Sequence, residues 1–191
     1  MESIKGKAFA HTKDRNKNDY YPTPYSMTEQ LLELEDFRHG TILEPACGNA
    51  KAICRVIEKK GLKVVSKDIE AGQDFFKESG KYDFIITNPP YKLADQFVEK
   101  CKGVAIEKFA LLLRTNFLSG VTRFNEDRFK GLKNVYIFTR MADLNSELRA
   151  DGKYKTAMIV YAWMVWELHF TGKPQLNWID NQKFVLKKGD E

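Results

Sequence analysis

Residues Asp83-Phe84-Ile85-Ile86-Thr87-Asn88-Pro89-Pro90-Tyr91 constrain the fold more than any other stretch of the chain. Phe84 to Ile86 form an apolar run that reads as a short buried strand, and two prolines end it abruptly. Neither proline has a backbone N–H to donate, and Pro90 holds Pro89 extended. A stiff shelf at the C-terminal end of a buried strand belongs in an open α/β sheet, where ligands sit outside the carboxyl ends of the strands. This shelf offers the Asn88 amide, the proline carbonyls and the Tyr91 ring. Acceptors beside a flat stacking face suit a planar group that carries an amine. A plain strand-ending turn is the structural reading of the same Pro-Pro pair, and the rest of the chain weighs against it.

The upstream segment supplies a nucleotide-type βα unit. Thr41-Ile42-Leu43 reads as a strand that runs into Glu44-Pro45-Ala46-Cys47-Gly48-Asn49-Ala50. A helix follows with Ile53, Val56 and Ile57 on one face, closed by Gly61. Gly48 permits a tight turn and close backbone approach to a ligand. The loop has neither the three-glycine pyrophosphate fingerprint nor a P-loop lysine, which argues against dinucleotides and ATP phosphates. Lys63 to Ser66 reads as a second strand, with Asp68-Ile69 just beyond it. Asp68 lies about 20 residues past the glycine loop, where an acid can accept hydrogen bonds from a ribose diol. Asp74-Phe75 offers an acceptor beside an aromatic, suited to an adenine amine and face; a surface loop with a core Phe fits the pair equally well.

The remaining elements follow from periodicity. Ser26-Met27-Thr28-Glu29 has capping-box spacing, and Met27, Leu31 and Leu34 predict a helix to about Phe37, ended by Gly40. Lys92 to Lys102 predicts a helix with Leu93, Phe97 and Cys101 inward. Phe109 to Leu113, Val135 to Thr139 and Met158 to Trp166 predict further strands, the last antiparallel to its neighbours. On an alternating strand Trp163 and Trp166 face opposite sides, so one of them, Trp163, is assigned to the core. Two linkers, Thr115 to Lys133 and Arg140 to Lys155, are rich in Arg, Lys, Asn and Ser.

Composition sets outer limits. The 191 residues suffice for one domain with a proper core. A net charge of +5 fits an anionic partner such as nucleic acid, though many proteins with neutral partners share it. Three cysteines, Cys47, Cys54 and Cys101, show no CxxC or histidine spacing, so they read as reduced thiols, with no zinc or other metal framework. The charged N-terminal segment is unlike a signal peptide, and the longest apolar run, Ala157 to Trp166, is too short to span a bilayer. A cytoplasmic protein without a membrane partner is expected.

In order, Tyr21-Pro22-Thr23-Pro24, Glu44-Pro45-Ala46-Cys47-Gly48, Asp68, Asp74-Phe75 and Asn88-Pro89-Pro90-Tyr91 resemble the S-adenosylmethionine-dependent amino-methyltransferases that modify adenine N6 in DNA, and the small form with Ala162-Trp163-Met164-Val165-Trp166 near its end is similar to those found in phages and prophages. The resemblance covers about Asp19 to Glu167. It implies an α/β, Rossmann-like class I methyltransferase: a mostly parallel seven-stranded sheet, helices on both faces and an antiparallel last strand. It implies a catalytic domain over 19–170; residues 1–18, with five Lys and Arg and little to bury, read as a flexible basic arm, and 171–191 as a short polar tail with no separate target-recognition domain. By the same resemblance Tyr21, Thr23 and Pro24 border the methionine part of S-adenosylmethionine. Glu44, Pro45 and the Ala46 to Gly48 loop line its centre, Asp68 and Ile69 hold the ribose, and Asp74 and Phe75 meet the adenine. Asn88, Pro89, Pro90 and Tyr91 receive a base flipped out of double-stranded DNA.

The sequence departs from the family pattern at Ala50, where relatives often carry a second glycine, and in lacking a recognition domain. Specificity then falls to dimerisation or to basic residues: Arg114, Arg123, Arg128, Lys130, Lys133 and Arg149 are candidates for phosphates, each also readable as a solvated surface charge. The oligomeric state is open. The Asn-Pro-Pro-Tyr motif also occurs in enzymes that methylate RNA or protein glutamine, so these acceptors, and a degenerate cofactor-binding regulator, remain as alternatives.

Overall fold

The structure, a computed structural model, describes residues 22–139 and 159–180. The arm over 1–18, Tyr21, the second basic linker with Arg149, and residues 181–191 lie outside the described residues.

Helix α1 (Tyr25–Leu34) starts one residue before Ser26, with Pro24 at the cap position and its carbonyl accepting from Met27 N at 3.0 Å. The expected capping box therefore does not form. Met27 and Leu31 are buried as their spacing predicts, but Leu34 is exposed. The helix stops short of Phe37 because Glu35 turns extended, and its carboxylate reaches Lys108, Asn134 and Tyr136. Phe37, now outside the helix, packs edge-on against Phe84 at 5.3 Å. Gly40 admits the turn into β1 (Thr41–Glu44), since a Cβ there would lie 2.3 Å from the Asp83 Cβ. Thr41 N donates to Asp83 Oδ2 at 2.7 Å, fastening β1 to the strand that carries the shelf.

The other elements are α2 (Ala52–Lys59), β2 (Lys63–Ser66), β3 (Tyr82–Thr87), α3 (Ala94–Val104), β4 (Ala105–Arg114), α4 (Val121–Asn125), β5 (Leu132–Phe138), β6 (Tyr161–Glu167) and β7 (Gln175–Ile179). The seven strands form one sheet in the order β2-β1-β3-β4-β6-β5-β7. All pairs are parallel except those of β6, which runs antiparallel to both β4 and β5. The antiparallel strand near the end is thus present, as sixth in the chain. One more strand follows it: residues 175–179, assigned from sequence to a tail, add β7 to the sheet edge parallel to β5. Only Ile179 of β7 is buried, so it has no apolar alternation to reveal it. Strand β6 starts at Tyr161; Ile159 and Val160 before it are exposed, although Val160 O still accepts from Thr115 N at 3.0 Å.

Side chains on alternate strand positions build two cores, one per sheet face. Ile42, Phe84, Ile86, Ala110 and Leu112 meet Met27 and Leu31 of α1 and Ile53 and Ile57 of α2. Leu43, Ile85, Phe109, Leu111 and Leu113 meet Phe97, Val98 and Cys101 of α3. Because both faces are covered, Trp163 and Trp166 are both fully buried, correcting the assignment of one of them to the core. Each indole finds a backbone acceptor, Trp163 Nε1 on Met27 O at 2.8 Å and Trp166 Nε1 on Arg128 O at 2.9 Å. No helix among the described residues is long and apolar enough to cross a membrane.

Candidate active site

Parallel strands place their C-terminal ends on one rim, so Glu44 closing β1, Asp68 after β2, Asn88 after β3 and Arg114 closing β4 converge there. A cavity of about 560 Å³ opens at this rim. Its walls include Thr23, Glu44 to Gly48, Asp68, Ile69, Asp74, Phe75 and Asn88 to Pro90.

The loop after β1 is shaped by its own hydrogen bonds. Glu44 is wholly buried; its Oε1 accepts from Thr87 Oγ1 at 2.5 Å and from Ala46 N at 3.1 Å. Its Oε2 is buried without a hydrogen-bond partner. Burial pushes the Glu44 pKa up to about 8, against the lowering effect of the Thr87 and Ala46 bonds. Burial also raises the Cys47 thiol, with Glu44 adding to it. Gly48 takes φ +56, a left-handed conformation that a larger residue would resist, and its N–H donates to Asp68 Oδ2 at 2.8 Å. Asp68 thus clamps the loop as well as facing the cavity, and its Oδ1 accepts from Glu70 N at 2.8 Å. The departure at Ala50 costs no backbone strain, since the next left-handed residue in the loop is Lys51, at φ +48.

The second wall comes from the segment after β2. Asp74 Oδ1 accepts from Phe76 N at 2.9 Å and caps a short 3-10 turn. Phe75 both lines the cavity and packs on Phe97 at 5.1 Å, so the ligand-facing and core readings of this ring hold together. At the shelf, Asn88 Nδ2 donates to Thr23 Oγ1 at 3.1 Å, with Thr23 itself buried. The Thr-Pro entry is therefore a brace for Asn88, while Pro24 serves at the start of α1 and does not line the cavity.

Tyr91 is not among the lining residues. Its ring lies under Arg114, with Cζ 4.7 Å from the centroid, and beside Tyr161 at 5.4 Å. Burial holds its hydroxyl well above the usual phenol range. The basic candidates separate. Arg123 bonds Asp95 through Nε and Nη2 at 2.8 and 3.1 Å, Arg128 bonds Glu99 and Glu126, and Lys133 bonds Glu167. Lys130 is exposed on the loop before β5, and among the described members of the set Arg114 is the one at the shelf.

Sequence reasoning missed Pro22, Asn49, Ala52, Ile53, Glu70, Phe76, Leu93 and Phe97 as cavity walls. Leu93 and Phe97 were legible only as inward helix positions, and their share in the wall depends on α3 starting directly beneath the prolines. Among the described residues no group of His, Cys, Asp and Glu side chains is arranged to hold a metal.

No family model matches the chain, and no curated protein matches it. Solved structures do. A candidate RNA methyltransferase from Pyrococcus horikoshii aligns with TM-score 0.51 and 16% identity, over 78% of this chain and 87% of that one. The modification subunit of a candidate type I restriction enzyme from Vibrio vulnificus aligns at 0.53 and 10% identity, over 78% of this chain but 44% of its own. A candidate class I S-adenosylmethionine-dependent methyltransferase from Listeria monocytogenes aligns at 0.52 and 12%, over 81% of this chain and 62% of its own. The chain thus spans less than half the length of the restriction subunit. The likeness shows the fold, which is that of the Rossmann-like class I methyltransferases.

Proposed function

We propose that the chain transfers a methyl group from S-adenosylmethionine to the exocyclic N6 amine of adenine in DNA. One observation carries the reading: the orphaned carboxylate oxygen of Glu44 and the Asp68-clamped Gly48 loop share a single cavity with Asn88, Pro89 and Pro90. A nucleoside cofactor with a cationic amino-acid end fits that donor set. Glu44 Oε2 is a buried acceptor lacking a donor, which an ammonium supplies. Asp68 and Glu70 face a ribose, and Asp74 with Phe75 and Phe76 face an adenine edge and ring. The group supplies an electrophilic methyl on a sulfonium.

The chain's own residues do the rest. An aromatic amine is a poor nucleophile because its lone pair is delocalised into the ring. Acceptors at Asn88 Oδ1 and the Pro89 carbonyl hold both amine hydrogens, favour a tetrahedral nitrogen and stabilise the positive charge that grows on it. Thr23 fixes the rotation of the Asn88 amide from behind, so this acceptor is preorganised. Positioning in a closed site supplies roughly 7–11 kcal/mol of the barrier reduction.

The test is tritiated-methyl transfer to double-stranded DNA, single-stranded DNA, RNA and bulk protein, with wild type and Asn88→Ala. Label in DNA adenine that is lost in the variant is expected. Cofactor binding without transfer to any substrate refutes the enzyme reading, and label confined to RNA or protein refutes the DNA reading.

A further inference from the structure

Tyr91 belongs to the shelf by sequence, yet its ring is covered. Arg114 and Tyr161 face each other across the antiparallel β4–β6 pair, so a single register position at the rim delivers both neighbours of the ring. Arg114 is held unlike the other arginines nearby. Arg123 and Arg128 are fixed by carboxylates. Among the described residues no ion pair holds Arg114, and this is what sets it apart; its Nε is buried without a hydrogen-bond partner, as is that of Arg128. Its guanidinium lies on an aromatic ring while one donor of its fork lacks an acceptor.

We propose that Arg114 is a placeholder on Tyr91. In the free protein its guanidinium occupies the ring that an acceptor base needs; on binding it leaves the ring for a backbone phosphate beside that base. The proposal rests on the nucleic-acid reading of the preceding subsection and extends it to how the acceptor half of the site opens. Nucleic acid brings both exchange partners at once. A base offers a π-face to Tyr91, replacing the planar cation. A phosphate offers paired oxygens to the guanidinium fork, giving Nε the acceptor it lacks. A glutamine side chain in a protein brings neither a ring nor an anion. The cavity observed here already includes Asn88, Pro89 and Pro90 without Tyr91, consistent with a cofactor half that is open and an acceptor half that is capped.

The two exchanges predict shifts of opposite sign in one variant. Wild type, Arg114→Ala and Arg114→Gln are saturated with S-adenosylhomocysteine to fill the cofactor cavity. Each is titrated with 2-aminopurine deoxyriboside, followed by fluorescence, and separately with a short mixed-sequence DNA duplex over a salt series. Removing the guanidinium uncovers the ring, so the nucleoside binds about two- to fivefold more tightly, the strength of one exposed cation–π contact. The duplex binds more weakly, and the slope of log affinity against log salt shrinks by about 0.9, one phosphate contact. Arg114→Gln gives the same pair of shifts and replaces Arg114→Ala if the latter fails to fold. Shifts of the same sign, or no shift with either probe, overturn the proposal. Methyl transfer is scored independently: opposite shifts without DNA methylation leave the placeholder standing and remove the proposed function, whereas DNA methylation without the shifts removes the placeholder alone.

Discussion

Glu44 makes folding stability depend on pH in a direction opposite to most carboxylates. Its folded-state pKa is raised from 4.5 to about 8 because the carboxyl is wholly buried, and only its Oε1 has donors. The unfolded chain releases this proton near 4.5, and the folded chain keeps it until about 8. Stability from the neutral form is complete below the lower value and is lost progressively as pH rises towards the higher one. At about 1.36 kcal/mol per pH unit across that window, the loss between pH 5 and pH 9 is about 4 kcal/mol. Glu44→Gln removes it. The amide Oε1 still accepts from Thr87 and Ala46, while its buried NH2 adds a cost that does not vary with pH. The measurable quantity is therefore the slope. Urea unfolding at a series of pH values should show the wild-type midpoint falling by about 2 M relative to the variant between pH 5 and pH 9, for an m-value near 2 kcal/mol/M. Parallel midpoint curves would refute the assignment of a buried, protonated Glu44. The same group tests the cofactor reading. An ammonium beside Oε2 favours the ionised form, so cofactor binding at pH 7 should release a proton. Calorimetry in buffers of different ionisation enthalpy detects it in wild type and not in Glu44→Gln.

Two further outcomes follow from named contacts. Glu35→Ala leaves Lys108 largely buried without its partner and strips acceptors from Asn134 and Tyr136; a loss of about 3–5 kcal/mol in urea unfolding is expected, mostly recovered when Lys108→Met is added, and simple additivity of the two would contradict a coupled pair. Asp68→Ala removes the acceptor that holds Gly48 N, so calorimetric affinity for S-adenosylhomocysteine should fall roughly tenfold or more, whereas Asp36→Ala, at an exposed pair with Arg38, should leave it unchanged; equal affinities would mean the ribose wall is misplaced.

The legible parts of the fold were those where one residue type admits one local outcome. The Asn-Pro-Pro stop, the Ile53-Val56-Ile57 face and the Phe97-Cys101 face all lie where the sequence puts them. Errors arose where tertiary partners decide. Helix α1 has enough periodicity to reach Phe37, yet a buried Lys108 draws Glu35 out of the helix two residues earlier. Strand β7 was missed because an edge strand buries one side chain and leaves Trp178 exposed, so neither alternation nor an apolar run marks it. The two tryptophans misled for the converse reason. Alternation gives opposite faces correctly, but a single strand cannot reveal that helices cover both faces.

The site divides along the same line. Residues whose role is set by the backbone, such as Gly48 in its left-handed turn and Asp68 at the following strand's end, were readable from spacing. Residues whose role is set by a neighbour from a distant part of the chain were not. Thr23 is readable as a ligand-side residue and lines the cavity, but its bond to Asn88 across 65 positions of sequence is not readable from spacing. Tyr91 was assigned to an open stacking face, but Arg114 at the end of β4 and Tyr161 at the start of β6 enclose it. The motif fixes the acceptors in place and leaves access to them to residues outside the motif. Basic residues counted along the linkers therefore say little about substrate contact. Carboxylates hold Arg123, Arg128 and Lys133, and the cation at the shelf is the one whose strand ends there.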